Sequence, residues 1–391
     1  MAICSAPGKT LWIGGYSVLD KGNISFVTGV DKRVYAKADK LDNNKIHIIS
    51  KQFNIDISGK FDGTKIIFDK ELSENEKKYS KFVVVAVETC LRYLIYKGFD
   101  VSGLRIETIS DPAFGFGDTK TGLGSSAAVT TAATAALLEL HGMKIEKNLD
   151  LIHKMAQYIH FRVQGKVGSG FDIAASCFGG HAYSRYSPEL IKDIPENAPI
   201  EQVASAIDGK WDYTFEKLDM PQNFIVVMGN FVGQSASTSE MVKKINEWKA
   251  ANPDAYKELM YNLNEANKEA IRWLKEINNG KKEAMEKFKH AFKEGRMLTK
   301  KLGELSGAPI ETDDFSVVIE ETEKNGAFAA KLPGAGGGDN ISALCLSEEA
   351  KKKVEHYWKS CKTKKIEIVP ISISNEGVRI EKDWKKAESF L

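Results

Sequence analysis

The segment Lys120–Ala128, KTGLGSSAA, leads straight into Ser126–Leu140, SAAVTTAATAALLEL, and no other stretch constrains the chain as strongly. An alanine-rich run of that length has high helix propensity and no polar face, which predicts a helix buried on all sides. Gly122 and Gly124, just before it, free the backbone to approach an anion at the first helical N–H groups. Ser125 and Ser126 add hydroxyls able to bind phosphate oxygen or a magnesium ion. Taken alone, the segment also reads as a Gly-Ser turn ahead of an ordinary helix cap.

Two further glycine-rich segments flank it in the sequence. In Ser5–Leu19, SAPGKTLWIGGYSVL, Gly8-Lys9-Thr10 imitates the end of a Walker A loop. The first glycine of GxxxxGK[ST] would fall at Ile3, however, and a strand follows where a helix is needed, so a P-loop enzyme is excluded. What is left is a lysine on a tight turn at the start of a strand, ahead of a Gly14-Gly15 break. In Lys331–Asp339, KLPGAGGGD, Pro333 and four glycines lie between two strand-like runs. Consecutive N–H groups without side-chain cover suit a backbone nest for phosphate, the alternative being a hairpin tip.

A length of 391 residues predicts roughly two or three domains. Lys+Arg 55 against Asp+Glu 53 leaves a net charge of +2, which argues against a nucleic-acid coat protein or a polybasic membrane binder. Five scattered cysteines without a CxxC pair read as reduced thiols, and the seven histidines lack a zinc-ligand spacing. MAICSAPGKT does not read as a signal peptide, and the purest apolar run, FVVVAV at 82–87, is far short of the roughly 20 residues of a membrane span. The expectation is a soluble cytoplasmic protein, monomer or homodimer.

Short β-branched and aromatic runs at 10–13, 25–30, 33–38, 45–49 and 66–68 predict strands, followed by a helix over 78–96 and a strand near 104–108. A helix is expected at about 149–163. The polar, proline-bearing stretch 189–221 reads as the connection between halves. Beyond it come a strand at 224–228, helices at 239–250, 254–277 and 281–305, strands at 327–332, 341–346 and 365–372, and a helix at 347–361. Strands and helices mix without steady βα alternation, which gives an α+β class.

APGKTLWIGGYSVL, GLGSSAA and PGAGGGD, in that order, resemble the three motifs of the GHMP kinase superfamily over essentially the whole chain. The resemblance implies a two-domain fold: a ribosomal-protein-S5-domain-2-like N-terminal domain over 1–200 and a ferredoxin-like C-terminal domain over 221–391 carrying the glycine-rich loop 333–339. The active site would lie in the cleft between them. Within the superfamily, Gln164–Ser176, QGKVGSGFDIAAS, is similar to the phosphomevalonate kinase branch, and GGHAYSRYS at 179–187 and GQSASTSEMVKK at 233–244 agree. That branch transfers a phosphoryl group from ATP, with Mg²⁺, to 5-phosphomevalonate; another small-molecule kinase (for mevalonate or a sugar) or the related diphosphomevalonate decarboxylase is the alternative.

The resemblance implies roles residue by residue. Lys9 and Asp172 become the catalytic pair, Asp172 as base or orienter and Lys9 as a bridge between the two phosphates. Lys120, Gly122, Leu123, Gly124, Ser125, Ser126 and Ala127 would hold the nucleotide, with Ser126 on the metal. Tyr16, Lys166, Ser169, Gly170, Arg185, Ser235, Ser237, Gly336 and Gly337, together with Lys9, would hold the acceptor. Phosphoryl transfer depends on positioning and charge neutralisation, so cations, oriented N–H groups and hydroxyls are the residue types it needs. Mevalonate kinases are thought to use a glutamate about eleven residues before the catalytic aspartate. Here that count reaches Phe161, and no carboxylate lies between Ala156 and Phe171.

Overall fold

The computed structural model describes residues 1–115, 121–233 and 236–391. Five strands open the chain: β1 (Ala2–Ile13), β2 (Ser25–Lys40), β3 (Lys45–Ser50), β4 (Ile55–Phe61) and β5 (Ile66–Phe68). They are followed by α1 (Glu74–Tyr96), β6 (Leu104–Ser110), α2 (Ser125–Leu140), α3 (Ile145–Gln164), α4 (Phe171–Phe178) and β7 (His181–Ser184). Next come α5 (Ile200–Asp208), β8 (Thr214–Lys217), β9 (Ile225–Phe231), α6 (Thr238–Ala251), α7 (Pro253–Asn278), α8 (Ala284–Ser306) and α9 (Asp313–Lys324). The chain closes with β10 (Ala329–Lys331), β11 (Asn340–Cys345), α10 (Glu348–Ser360), β12 (Ile366–Val369), β13 (Ile373–Ser374), β14 (Arg379–Ile380) and α11 (Lys385–Glu388).

The larger sheet runs β14-β1-β2-β6-β3-β4-β5. β2 is long enough to pair β6 through its second half and both β7 and β13 through its first. The alanines of α2 lie against Cys4 and Ala6 of β1 and Ala36 and Ala38 of β2, all fully buried. Small side chains on both partners let the helix axis approach the sheet closely, which explains why this helix is rich in alanine. α1 begins four residues before the expected position because Ser73 and Glu76 form a capping box.

The stretch 189–221 is more than a connection. α5 buries Val203, Ala204 and Ile207 in the N-terminal core, and β8 pairs with β7. The smaller sheet has the order β10-β11-β9-β12 with antiparallel neighbours throughout, the ferredoxin-like order. The strand expected over 365–372 divides at Pro370, which has no N–H for a ladder. β12 ends in the smaller sheet, whereas β13 and β14 return to the larger one beside β2 and β1. One apolar cluster joins Trp12 and Phe26 of the first sheet to Phe224, Met228, Phe288 and Phe292 of the second half. The α7–α8 pair thus belongs to the core. Among the described residues no helix is long and apolar enough to cross a membrane.

His153 and His181 are fully buried in the first half. Burial holds their pKa values down, to about 3 and about 4. Between those values and about 6.5, an unfolded histidine takes up a proton that the folded one does not, so stability falls on acidification. Each contributes up to about 1.4 kcal/mol per pH unit in that window. Thermal melts between about pH 7 and about pH 5 should show Tm dropping with pH, less steeply in His153→Phe and His181→Phe. A flat Tm in the parent protein contradicts this.

Candidate active site

The site begins with a break in β-sheet register. Pro7 pairs with Arg33 and Lys9 with Gly29, so two steps along β1 face four along β2. β2 bulges at Asp31, whose N–H donates to the Ser372 carbonyl at 2.9 Å. On the other side of β1 a Cβ at Gly8 would stand 2.9 Å from the Leu123 carbonyl oxygen, so this contact requires glycine. The Lys9 N–H donates to that same carbonyl at 2.9 Å, and Lys9 Nζ donates to the Gly122 carbonyl at 2.9 Å. Lys9 therefore sits mid-strand at a bulge, not on a turn at the start of a strand as the sequence suggests.

Gly122 and Gly124 both have left-handed backbone, at φ 68° and 78°. A Cβ on Gly122 would meet Asn340 Nδ2 at 2.2 Å, and one on Gly124 would stand 3.0 Å from Lys9 Cε. Gly124 is the N-cap of α2 and supplies no capping side chain; the Ala127 N–H donates back to the Gly124 carbonyl at 3.1 Å, and the Ser125 and Ser126 N–H groups ahead of it are the donors left for an anion. The Ser126 hydroxyl lies 3.2 Å from His160 Nε2. Burial holds His160 below the usual histidine range, against the opposing pull of Asp172.

Asp172 occupies the first turn of α4, which starts at Gly170 in left-handed conformation (φ 80°). The Gln157 side-chain amide donates to the Gly170 carbonyl at 2.7 Å and fixes that cap. Asp172 Oδ1 is buried without a hydrogen bond and lies 3.6 Å from Lys9 Nζ. The ammonium also stands 5.5 Å from the centre of the Phe171 ring. The first-turn carboxylate of α4 is thus also the partner of a cation.

These groups face a cavity of about 730 Å³. Of the expected residues, Lys9, Tyr16, Gly122, Leu123, Gly124, Ser125, Ser126, Ser169 and Asp172 line it. The Tyr16 hydroxyl donates to the Ala335 carbonyl at 2.9 Å, and burial pushes its pKa up. The remaining expected residues lie off the wall. Ala127 is a fully buried residue of α2, and Gly170 acts as the α4 cap. Lys166 is exposed and donates to Ser239 Oγ at 3.3 Å. Arg185 is buried with Nη1 donating to the Leu19 carbonyl at 2.8 Å, and the Ser237 hydroxyl caps α6 by accepting from Glu240 N–H. Gly336 and Gly337 pack against Ile310 and Met241, where a Cβ would come within 2.4 and 2.7 Å; Pro333, Gly334 and Ala335 face the cavity instead. Lys120 and Ser235 fall outside the described residues.

An aromatic part of the cavity wall lies outside the expected residues. Phe53 and Tyr79 stack there at 4.6 Å between centroids, with Lys81 and Phe82 beside them. The Lys-Tyr-Ser-Lys-Phe cluster at 78–82, at the amphipathic start of α1, is the only local trace of it in the sequence. Asn340, directly after the third glycine segment, donates from Nδ2 to the Thr121 carbonyl at 3.1 Å and leaves Oδ1 buried without a partner.

Two family models match the chain: that for the GHMP kinases N terminal domain over residues 81–180, and that for the GHMP kinases C terminal over 274–363. The chain is 31% identical over 380 residues to the phosphomevalonate kinase of Saccharolobus solfataricus, covering 96% of this chain and 98% of that one. This chain belongs to the GHMP kinases. The phosphomevalonate kinase ERG8 of Gibberella zeae is 28% identical over 436 residues, with 96% of each chain covered. The solved structure of Streptococcus pneumoniae phosphomevalonate kinase in complex with phosphomevalonate and AMPPNP superposes with a TM-score of 0.75 at 18% identity, covering 96% of this chain and all of that one.

In this GHMP kinase the glycine-walled, uncapped start of α2 fits a polyphosphate: N–H donors, a lysine and two hydroxyls converge where no Cβ intrudes. Among the described residues no group of three or more His, Cys, Asp or Glu is placed to hold a metal ion. That donor set suits Mg²⁺ held by Ser126, phosphate oxygens and water, the thin protein shell this ion commonly accepts.

Gly124→Ala tests the cradle. The left-handed strain costs about 1–2 kcal/mol, and the new methyl displaces the Lys9 stem, so activity should fall roughly 10²-fold. Gly142→Ala is the control, with φ 87° and open space around its Cβ; it should lose similar stability and keep its activity. Equal activity in the two variants contradicts the cradle.

Proposed function

We propose that this GHMP kinase is a phosphomevalonate kinase, transferring the γ-phosphoryl group of ATP to the phosphate of (R)-5-phosphomevalonate. The observation that carries this reading is the Lys9–Asp172 pair at 3.6 Å beside the open N-terminus of α2. Full-length relatives named phosphomevalonate kinase support it. The family is one of phosphotransferases, and five free cysteines support a reducing compartment such as the cytoplasm.

The aromatic end formed by Phe53, Tyr79 and Phe82 suits a nucleoside, which leads its phosphates toward Gly122–Ser126. The acceptor then enters past Tyr16 and Ser169, with its phosphate toward Lys9. Bound Mg²⁺ supplies charge neutralisation on the nucleotide phosphates. Lys9 brings one cation to the point where two anionic groups meet, and Asp172 holds that cation in place. A phosphate acceptor is already largely ionised near neutral pH, its second pKa being about 6. Proton removal by Asp172 therefore matters less than it would for an alcohol acceptor, and its main task is to orient Lys9.

Coupled measurement of ADP release tests this. Phosphomevalonate with ATP and Mg²⁺ should turn over, whereas mevalonate should not. Lys9→Met should lower kcat by about 10²–10³, the scale for loss of one preorganised donor. Asp172→Asn should lower it less than Lys9→Met does. Turnover of mevalonate in preference to phosphomevalonate overturns the substrate, and an unchanged rate in Asp172→Asn overturns the pair.

A further inference from the structure

His160 lies on α3, outside every motif that the kinase reading uses. Its ring stacks on Phe82 of α1 at 5.5 Å between centroids and 25° between planes. Its Nε2 points at the hydroxyl of Ser126 in the first turn of α2, 3.2 Å away. The same nitrogen lies 3.3 Å from the side-chain nitrogen of Gln164, a donor, so Nε2 is the acceptor in both contacts. A serine inside a helix usually turns its hydroxyl back onto the carbonyl four residues earlier. Ser126 is the second residue of α2, so the position four residues earlier, Gly122, lies outside the helix before the Gly124 cap, and its carbonyl accepts Lys9 Nζ at 2.9 Å. The hydroxyl proton goes to His160 instead. That choice leaves both lone pairs of Ser126 Oγ directed away from the ring, available to a cation in the cavity.

We propose that His160 is a positioning residue that fixes the Ser126 hydroxyl as an acceptor-only group toward the Mg²⁺ of the bound nucleotide. This rests on the kinase reading above, because it needs a nucleotide phosphate at the start of α2. The role asks for two features at once: a flat ring to stack on Phe82 and an acceptor nitrogen at its tip. His160→Phe keeps the first and removes the second, and His160→Gln keeps an acceptor.

Calorimetric titration with ATP, in the presence and absence of Mg²⁺, tests the proposal on the parent protein, Ser126→Ala, His160→Phe, His160→Gln and the Ser126→Ala/His160→Phe double variant. Loss of a partner that orients a metal ligand typically costs 10–100-fold in affinity, so His160→Phe should weaken Mg·ATP by about tenfold or more. Metal-free ATP should bind the parent and His160→Phe nearly alike, and His160→Gln should recover most of the loss. In the Ser126→Ala background His160→Phe should add nothing, since its effect passes through that hydroxyl. Equal weakening with and without metal, additive losses in the double variant, or an unchanged His160→Phe overturns the proposal while leaving the kinase reading intact. Failure of the parent protein to bind ATP overturns both. Melting curves for each variant identify unfolding, and His160→Gln then decides: binding below that of Ser126→Ala contradicts the positioning role.

Discussion

The site depends on one backbone contact between distant segments: β1 at Pro7–Lys9, opposite the bulge in β2, resting on the turn Gly122–Gly124. Two hydrogen bonds define it, from the Lys9 N–H to Leu123 and from Lys9 Nζ to Gly122. The bulge directs Lys9 across the start of α2 rather than into the sheet. The left-handed glycines allow the loop to lie against it, and the lysine stem then fills the space that a side chain at position 124 would take. Asp172 needs only a short helix aimed at the same point to complete the arrangement.

The second half supports this contact more than it adds chemistry. The buried bidentate pair Arg296–Glu311 anchors the segment after α8, and Ser316 donates to the same carboxylate at 2.8 Å. Ile310, next to Glu311, accepts from the Gly337 N–H at 2.8 Å, which fixes the glycine-rich loop. From that loop the Ala335 carbonyl accepts from Tyr16, and Asn340 just beyond it reaches Thr121. Lys331 donates to the Trp12 carbonyl at 3.0 Å, which ties β10 to β1. Glycines that look alike in sequence thus divide their work. Those at 122 and 124 open a cradle, and those at 336 and 337 permit close packing.

How much of this was legible follows from the range of the forces involved. The alanine-rich helix and the long amphipathic helices are local patterns and stand where the sequence placed them; the glycine segments were visible too, although the one around Lys9 lies within β1 and not on a turn before a strand. β4 escaped notice because Gly59 interrupts its alternation. β8, β13 and β14 are four residues or shorter and exist only through partners far away in sequence. α9 was hidden in a polar stretch whose apolar residues, Phe315, Val318 and Ile319, become meaningful only against the second sheet. In the site, Lys9, Ser126 and Asp172 were found because motif context names them. The aromatic end and Asn340 were not, since an aromatic residue or an asparagine carries no sign of which cavity it will face. Arg185 and Lys166 were named by the same motif context; here Arg185 donates to the Leu19 carbonyl and Lys166 to Ser239 of α6.

A crystal structure with phosphomevalonate and a non-hydrolysable ATP analogue tests the central claim most directly. The account predicts the terminal phosphate of the nucleotide at the first turn of α2, with Lys9 Nζ in hydrogen-bond contact with both that phosphate and the acceptor phosphate, and Asp172 still paired with the lysine. A nucleotide whose phosphates run instead toward Lys81 and the aromatic end, leaving Lys9 bound only to the Gly122 carbonyl, contradicts it.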